Sequence, residues 1–385
     1  MLELTVVALA LLGPPLRLRP LPHRARTPAL AAPPPPLDED DLSAAALVAG
    51  TAIGGGFLAL PYTTAPAGAA PSACVLVGCW ILLNFQSAIL AELLLEESND
   101  SDGDVSYSSL ARSTLGGGGE RAVGTLFVVL MVATLASQLS KAGGLVAPLL
   151  GLPYAAGVVV VAASLAAFSA ANTPRLVSRA NGVLTAGFAA SLAVLCAFGA
   201  RLADPALLVR ADWAACPASI PSVLQLLVFC EVIPTLVALL GSRARVRRAL
   251  RLGSTALLAI QLCWSTLGIA LAPYDAAASG LAADPIAGLL ALSSPVAAAV
   301  TALGLCASTT TVLGTNLALR QFFDDASAAD DGPERRRRPA RAGAFFALAT
   351  LVPALAAASS ADVFSTQRLM PALIRWRCSG SPLRR

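Results

Sequence analysis

Charge is scarce in this sequence. Asp, Glu, Lys and Arg make up 13% of its 385 residues, against about a quarter in a soluble globular domain. A chain so poor in charge has too little polar surface to cover itself against water. Histidine is rarer still: His23 is the only one, so chemistry that needs an intramembrane histidine is excluded once the N-terminal leader is removed. The eight cysteines lie mostly inside apolar runs and form no CxxC pair, which argues against a zinc site or a disulfide framework. No cofactor or metal is expected. The net charge of +4 is small, and no basic patch is interleaved with aromatics, so nucleic acid is not an expected partner. GxSxG serines and paired aspartates inside the apolar runs are absent too, which leaves an intramembrane enzyme without its machinery.

What the sequence has in quantity is apolar length. Hydrophobic residues make up 56% of the chain and mean hydropathy is +0.71. They come in runs of roughly twenty, the length needed to cross a hydrocarbon core about 30 Å thick. The expected fold is an all-α polytopic membrane protein, surrounded by lipid.

The first 37 residues differ from the rest. A short apolar stretch, Leu4 to Leu12, is followed by Arg17, Arg19, Arg24 and Arg26 and then by prolines from Pro33 to Pro36. An apolar run too short to span, followed by an Arg-rich, acid-poor segment, reads as a targeting presequence. Its signal-like and transit-like parts together suggest a plastid membrane; the plasma membrane or another organelle is the alternative. Residues 38–385 form the membrane-spanning domain.

Hydropathy gives about nine candidate spans: Leu42–Ala65, Ala73–Leu95, Ala122–Ser140, Tyr154–Ala171, Gly182–Leu202, Ile220–Leu240, Leu252–Ala272, Ser294–Leu319 and Ala342–Ala358. Polar segments separate them, among them Glu96 to Glu120, Asn172 to Asn181, Arg243 to Arg251 and Asp324 to Arg341. The arginines test this count. With the N-terminus inside, the connections after even-numbered spans hold Arg112, Arg121, Arg175, Arg179, the cluster from Arg243 to Arg251, Arg320, and Arg335 to Arg341. The opposite side holds Arg201 and Arg210. That asymmetry is what the positive-inside rule demands.

Two spans are interrupted. The first reads GTAIGGGFLALP, with Gly50, Gly54, Gly55 and Gly56 at its centre; each glycine lowers helix propensity by about 1 kcal/mol relative to alanine. The sixth reads LLVFCEVIPTLVALL, with Glu231 and Pro234 near its middle. Broken spans at matching positions of two halves mark an inverted-repeat transporter, whose freed backbone groups meet a ligand near the midplane. Half-helix N-termini favour a carboxylate and freed carbonyls favour a cation, which suits a zwitterionic amino acid. Each feature also has a plainer explanation: Gly50 to Gly54 is a GxxxG packing spacing, and a lone proline in a span is often only a kink.

Glu231 stands out, because an ionisable side chain inside a span is costly and marks function by default. Such a carboxyl can take up and release a proton, which makes Glu231 the proton-coupling candidate. Lys141, at the predicted end of the third span, reads as reaching for the interface. Asn84, Gln86, Ser137, Gln138, Ser308 to Thr311 and Asn316 are polar positions within spans that serve a pathway or hold helices together. Gly116 to Gly119 lacks a following GK[ST] and reads as a flexible linker.

The stretches GTAIGGGFLALPYTTAPAG and EVIPTLVALLGSRARVRRALRLGSTALLAIQLCWSTLGIALAP, with VLGTNLALRQFFDD near the end of the eighth span, resemble the aromatic amino acid permeases. The resemblance covers Leu42 to Leu355. It implies an eleven-helix, LeuT-like inverted-repeat bundle and a proton-coupled symporter of tyrosine, tryptophan or other neutral amino acids, driven by a proton gradient with sodium as the alternative ion. It places substrate binding on Gly50, Thr51, Ile53, Gly54, Gly55 and Gly56 of the first span and on Phe229, Cys230, Val232 and Pro234 of the sixth. Where the family carries a Gly-Phe-His-Asn-like run, this sequence has Val228, Phe229, Cys230 and Glu231. Beyond the ninth span the sequence is polar, so the last two helices of the family are expected to be missing, and a transport-dead structural or regulatory protein is the alternative function.

Overall fold

The computed structural model describes residues 38–54, 56–100, 105–275, 280–281 and 294–330. The first span is two helices, α1 (Glu39–Ala52) and α2 (Leu60–Thr64), joined through a 3-10 turn at Phe57–Ala59 and bent by 59°. Asp38 starts α1 by accepting the Asp41 N–H, and acidic residues fill the first turn, where the helix dipole favours them. After the break, Pro61 lies in the first turn of α2, where its missing N–H costs nothing.

Next come α3 (Ala69–Asp100), α4 (Tyr107–Leu150), α5 (Tyr154–Ala171) and α6 (Pro174–Gly199). A connection with two 3-10 turns leads to α7 (Cys216–Leu227), a 3-10 turn at Cys230–Val232, α8 (Ile233–Leu240) and α9 (Arg243–Leu271). Strands β1 (Tyr274–Asp275) and β2 (Gly280–Leu281) form a small antiparallel hairpin, and α10 (Ser294–Asp330) follows. Among the described residues seven helices or helix pairs are long and apolar enough to cross a membrane, and the bent pair α1–α2 makes eight. They match the first eight predicted spans; the ninth, Ala342–Ala358, lies outside the described residues.

Several segments expected to be connections are helical. The α3 helix runs to Asp100, and α4 starts at Tyr107 on a reciprocal cap between Ser106 and Ser109. The glycines at 116–119 lie within α4, and Gly116, at φ +73°, kinks the helix instead of linking two spans. Helix α6 begins at Pro174, capped by Thr173, and α9 begins at Arg243. Hydropathy missed these turns because they are polar, while their caps and ion pairs hold them helical. Lys141 likewise does not end a span: α4 runs on to Leu150, with Gly143 of α4 pressed against Val158 of α5.

Helix α10 packs most extensively against α6 and α4, and α4 against α5; α9 packs against α1 and α3. The core between them carries Phe57, edge-on to Phe188 and stacked on Trp264 with ring centroids 5.6 Å apart. Large apolar side chains such as Phe85, Val183 and Leu149 are exposed, as a lipid-facing surface requires.

The end that carries the arginine cluster is fastened by ions. Asp41, fully buried, pairs with Arg245 at 2.7 Å and Arg248 at 3.3 Å, and Asp38 pairs with Arg245 at 2.6 Å. The Asp41 N–H, ahead of the Arg245 charge, holds the Asp38 carboxyl below its usual value. Glu92 of α3 takes Arg243 and Arg247, both at 2.7 Å, and Arg179 of α6 reaches Asp40 at 3.3 Å. The opposite end is fastened by backbone. Arg210 donates to the Ala65 carbonyl at 2.8 Å and lies over the Tyr274 ring. Gly68 bridges to Ala211 with φ +88°, and a side chain there would strike the Arg210 carbonyl.

Candidate functional site

The site is where the two interrupted spans meet. Helix α1 ends at Ala52 because Ile53 leaves helical geometry, with φ −78° and ψ 72°. The Gly54 N–H turns back to the Ala52 carbonyl at 2.9 Å, and the Gly54 carbonyl accepts the Phe57 N–H at 2.9 Å. The last carbonyls of α1 are thereby freed from the helix. Thr311 of α10 answers them: its hydroxyl lies 3.2 Å from the Thr51 carbonyl, 3.4 Å from that of Ile53 and 3.0 Å from that of Ala307 in its own helix.

The second interruption forms differently from the expected kink. Helix α7 stops at Leu227, with Val228 extended and Phe229 at φ −141°. The chain makes one 3-10 turn and restarts as α8, with Pro234 in its first turn. Proline there starts a helix in place of bending one. The N-terminus of α8 therefore opens at the break; its Ile233 N–H is taken by the Cys230 carbonyl and Pro234 has none, so what it brings there is the positive end of the helix dipole.

The two breaks touch. A Cβ on Gly56 would lie 3.0 Å from Leu226 of α7, and α1 and α10 both pack on the Cys230–Val232 turn. Phe229, Cys230, Val232 and Pro234 are buried. The Cys230 thiol lies 3.4 Å from the Ser87 hydroxyl, and the Cys230 carbonyl accepts the Tyr107 hydroxyl. Glu231 is half-buried in the same turn, two residues ahead of α8.

The glycines of the first span divide by role. At Gly50 a Cβ would collide with the Thr185 hydroxyl, lie 2.7 Å from Asn181 Oδ1 and 3.3 Å from Thr310, so this glycine seats α1 against α6 and α10. Thr51 donates back to Leu47 at 2.7 Å, and its side chain presses on Gly314 of α10, where a Cβ would come within 2.9 Å of the Thr51 Cβ. At Gly54 a Cβ would sit 2.8 Å from the Gln138 amide nitrogen, so Gly54 faces a polar residue of α4 at the break itself. Gly55 lies outside the described residues. The GxxxG packing explanation therefore holds for Gly50, while Gly54 and Gly56 belong to the junction.

Further polar atoms collect around the junction. Trp264 Nε1, Gln261 Oε1, Thr235 Oγ1 and Thr315 Oγ1 are buried with no hydrogen-bond partner among the described residues. Gln261 holds the Leu226 carbonyl at 3.1 Å through its other amide atom, Trp264 lies on Phe57, and Thr235 is in the first turn of α8. Buried polar groups in folded proteins are nearly always paired, so an unpaired set calls for a ligand or water. Of these and their neighbours, sequence reasoning had singled out Gln138 and Thr311 but not Trp264, Gln261, Thr235, Tyr107 or Asn181. The signal for Trp264 and Gln261 was their spacing of three residues, which puts them on one face of α9 within a span read only for hydropathy.

The model of the tryptophan/tyrosine permease family matches residues 39–361. The chain belongs to this family. Two curated relatives of this permease come from Haemophilus influenzae. Tyrosine-specific transport system 1 is 27% identical over 301 residues, covering 72% of each chain. Tyrosine-specific transport system 2 is 26% identical over 239 residues, covering 59% of the permease and 57% of the relative. In fold, the permease is similar to a Na+-coupled sialic acid symporter solved in a substrate-bound outward-open state, with a TM-score of 0.62 at 10% identity over 87% of this chain and 75% of the other. The permease is thus an all-α transporter of the LeuT-like fold and not an enzyme.

Proposed function

We propose that this permease is a proton-coupled symporter of tyrosine or tryptophan. The observation that carries the reading is the meeting of two broken spans, one presenting freed carbonyls and the other a helix N-terminus. The carbonyls at the end of α1 suit the ammonium of an amino acid, and the positive dipole end of α8 suits its carboxylate. Buried Phe57, Phe188 and Trp264 beside the break offer aromatic faces for an aromatic side chain, and the relatives in Haemophilus influenzae are named for tyrosine. Glu231, at the mouth of α8, is the carrier assigned to the proton.

The test is uptake by the full chain in proteoliposomes. Accumulation of labelled tyrosine or tryptophan under an imposed pH gradient, inhibited by unlabelled aromatic amino acid, is the expected result. A second reading, sodium coupling, is favoured by the oxygens gathered at Thr51, Ile53, Ala307 and Thr311; it requires accumulation under a sodium gradient at equal pH and none under a proton gradient. No accumulation under either gradient would turn the reading toward a structural or regulatory protein.

The Arg-rich, acid-poor leader supports a plastid membrane as the site of action. Residues 1–37 fused to a fluorescent reporter are expected to direct it to the plastid of an algal cell; a reporter left in the cytosol would sink this assignment.

A further inference from the structure

Away from the junction, Cys196 near the end of α6 and Cys263 in the outer half of α9 bring their sulfurs to 3.2 Å. Neither residue belongs to the site. Cys263 is exposed and Cys196 is half-buried, so the pair opens toward lipid. The two helices stay together beyond it: a Cβ on Gly199 would lie 3.1 Å from Leu267, and the Asp204 N–H bonds to the Ala270 carbonyl at 2.9 Å. The steps from Cys196 to Gly199 and from Cys263 to Leu267 are both about one helical turn, as expected for two helices running side by side in the same direction. The sulfurs are thus held together by the packing around them and do not meet by the chance swing of one side chain.

The helices they join belong to different halves of the molecule. Helix α6 is the last span of the first repeat and packs chiefly on α10, while α9 is the second span of the second repeat and packs chiefly on α1 and α3. In an inverted-repeat transporter, one bundle rocks against the other to expose the site to each side in turn. A covalent bond between these two spans ties together parts that must move relative to one another.

We propose that Cys196 and Cys263 form an oxidation-sensitive site, closed to a disulfide by hydroperoxides that reach it from the lipid, and that the bond arrests alternating access. In the first step one sulfur attacks the peroxide oxygen; the O–O bond breaks, the alcohol leaves with the thiol proton, and a sulfenic acid forms. In the second step the neighbouring thiol sulfur attacks the sulfenic sulfur, the S–S bond forms, and water leaves. The hydroperoxide is reduced by two electrons and the two thiols are oxidised by the same two. Closing the bond requires the sulfurs to approach from 3.2 Å to about 2.0 Å, a distance that side-chain rotation and small helix shifts supply. A thiol reductant reverses it.

The test uses the full chain in proteoliposomes, reduced and then exposed to tert-butyl hydroperoxide. Remaining thiols are alkylated and the digest is read by mass spectrometry, with tyrosine counterflow and hydrogen exchange measured on the same samples. The expected result is a peptide linking Cys196 to Cys263, loss of counterflow, slowed exchange at the inner ends of α1 and α9, and recovery of all three on adding reductant. The Cys196→Ser and Cys263→Ser variants should form no such link and keep their counterflow through the oxidant. The inference rests on the transport reading only for the counterflow measurement; linkage and exchange decide it even for a chain that moves no tyrosine. Both cysteines alkylated after oxidation, or a complete link with unchanged exchange, would overturn it.

Discussion

Glu231→Gln is expected to abolish proton-driven accumulation of tyrosine while sparing tyrosine exchange. Glutamine keeps the shape and the hydrogen-bonding capacity of the side chain but has no proton to release. Glu231 lies in the Cys230–Val232 turn, two residues ahead of α8, where a helix N-terminus favours negative charge and where substrate and proton would share one field. With the carrier fixed in a neutral form, the loaded permease can still rock and swap labelled for unlabelled substrate. The empty return, which needs the proton released, is lost. A gradient of two pH units supplies about 2.7 kcal/mol per proton, enough for roughly hundredfold accumulation. The wild type should approach that ratio and the variant should stay near equality, with counterflow rates alike. Accumulation unchanged in the variant would move the coupling group elsewhere.

Removing Asp41 should have the largest effect on stability. Its carboxylate is fully buried at the inner end of α1 and takes two guanidinium groups, Arg245 at 2.7 Å and Arg248 at 3.3 Å. Breaking a buried ion pair by deleting one partner leaves uncompensated charge and typically costs about 3–5 kcal/mol. Asp41→Ala is therefore expected to lower the thermal stability of the purified permease sharply, read as loss of monodisperse protein on heating. Asp41→Asn should fall between, because its amide oxygen still accepts from the arginines. Asp40→Ala, whose partner Arg179 is half exposed at 3.3 Å, should change little, since exposed pairs contribute about 0–1 kcal/mol. Equal melting for Asp41→Ala and Asp40→Ala would show that water already solvates both arginines.

Most of the span order was readable from hydropathy, because the bilayer sets span length. The glycine run identified the first break, although a run alone does not decide: Gly117 to Gly119 stay helical within α4, while Gly54 and Gly56 are pressed against Gln138 and Leu226. Pro234 identified the second for an incomplete reason: the helix has already stopped at Leu227, and the proline opens the next one. Helix ends were read too short wherever capping or ion pairing replaced apolar burial, as at Tyr107 and Arg243. Facing directions were the least legible. Gly50, Gly54 and Gly56 look alike in sequence, yet one seats a helix contact and two border the junction. Hydropathy gives a residue's depth but not its neighbours, so Trp264 passed as an ordinary member of its span and Asn181 as the end of a polar connection.

The arginines that open α9 act at two different times. When a nascent hairpin of spans enters the membrane, Arg243, Arg245, Arg247 and Arg248 are unpaired cations that hold their loop on the inner side. Standing in the first two turns of a helix, they oppose its dipole and so leave its start incompletely settled. Only when α1 and α3 dock do Asp38, Asp41 and Glu92 arrive beside them. The same side chains that choose an orientation during insertion thus become the neutralised seam of the finished protein. Biogenesis and packing are coupled through one cluster, and a charge change there disturbs both.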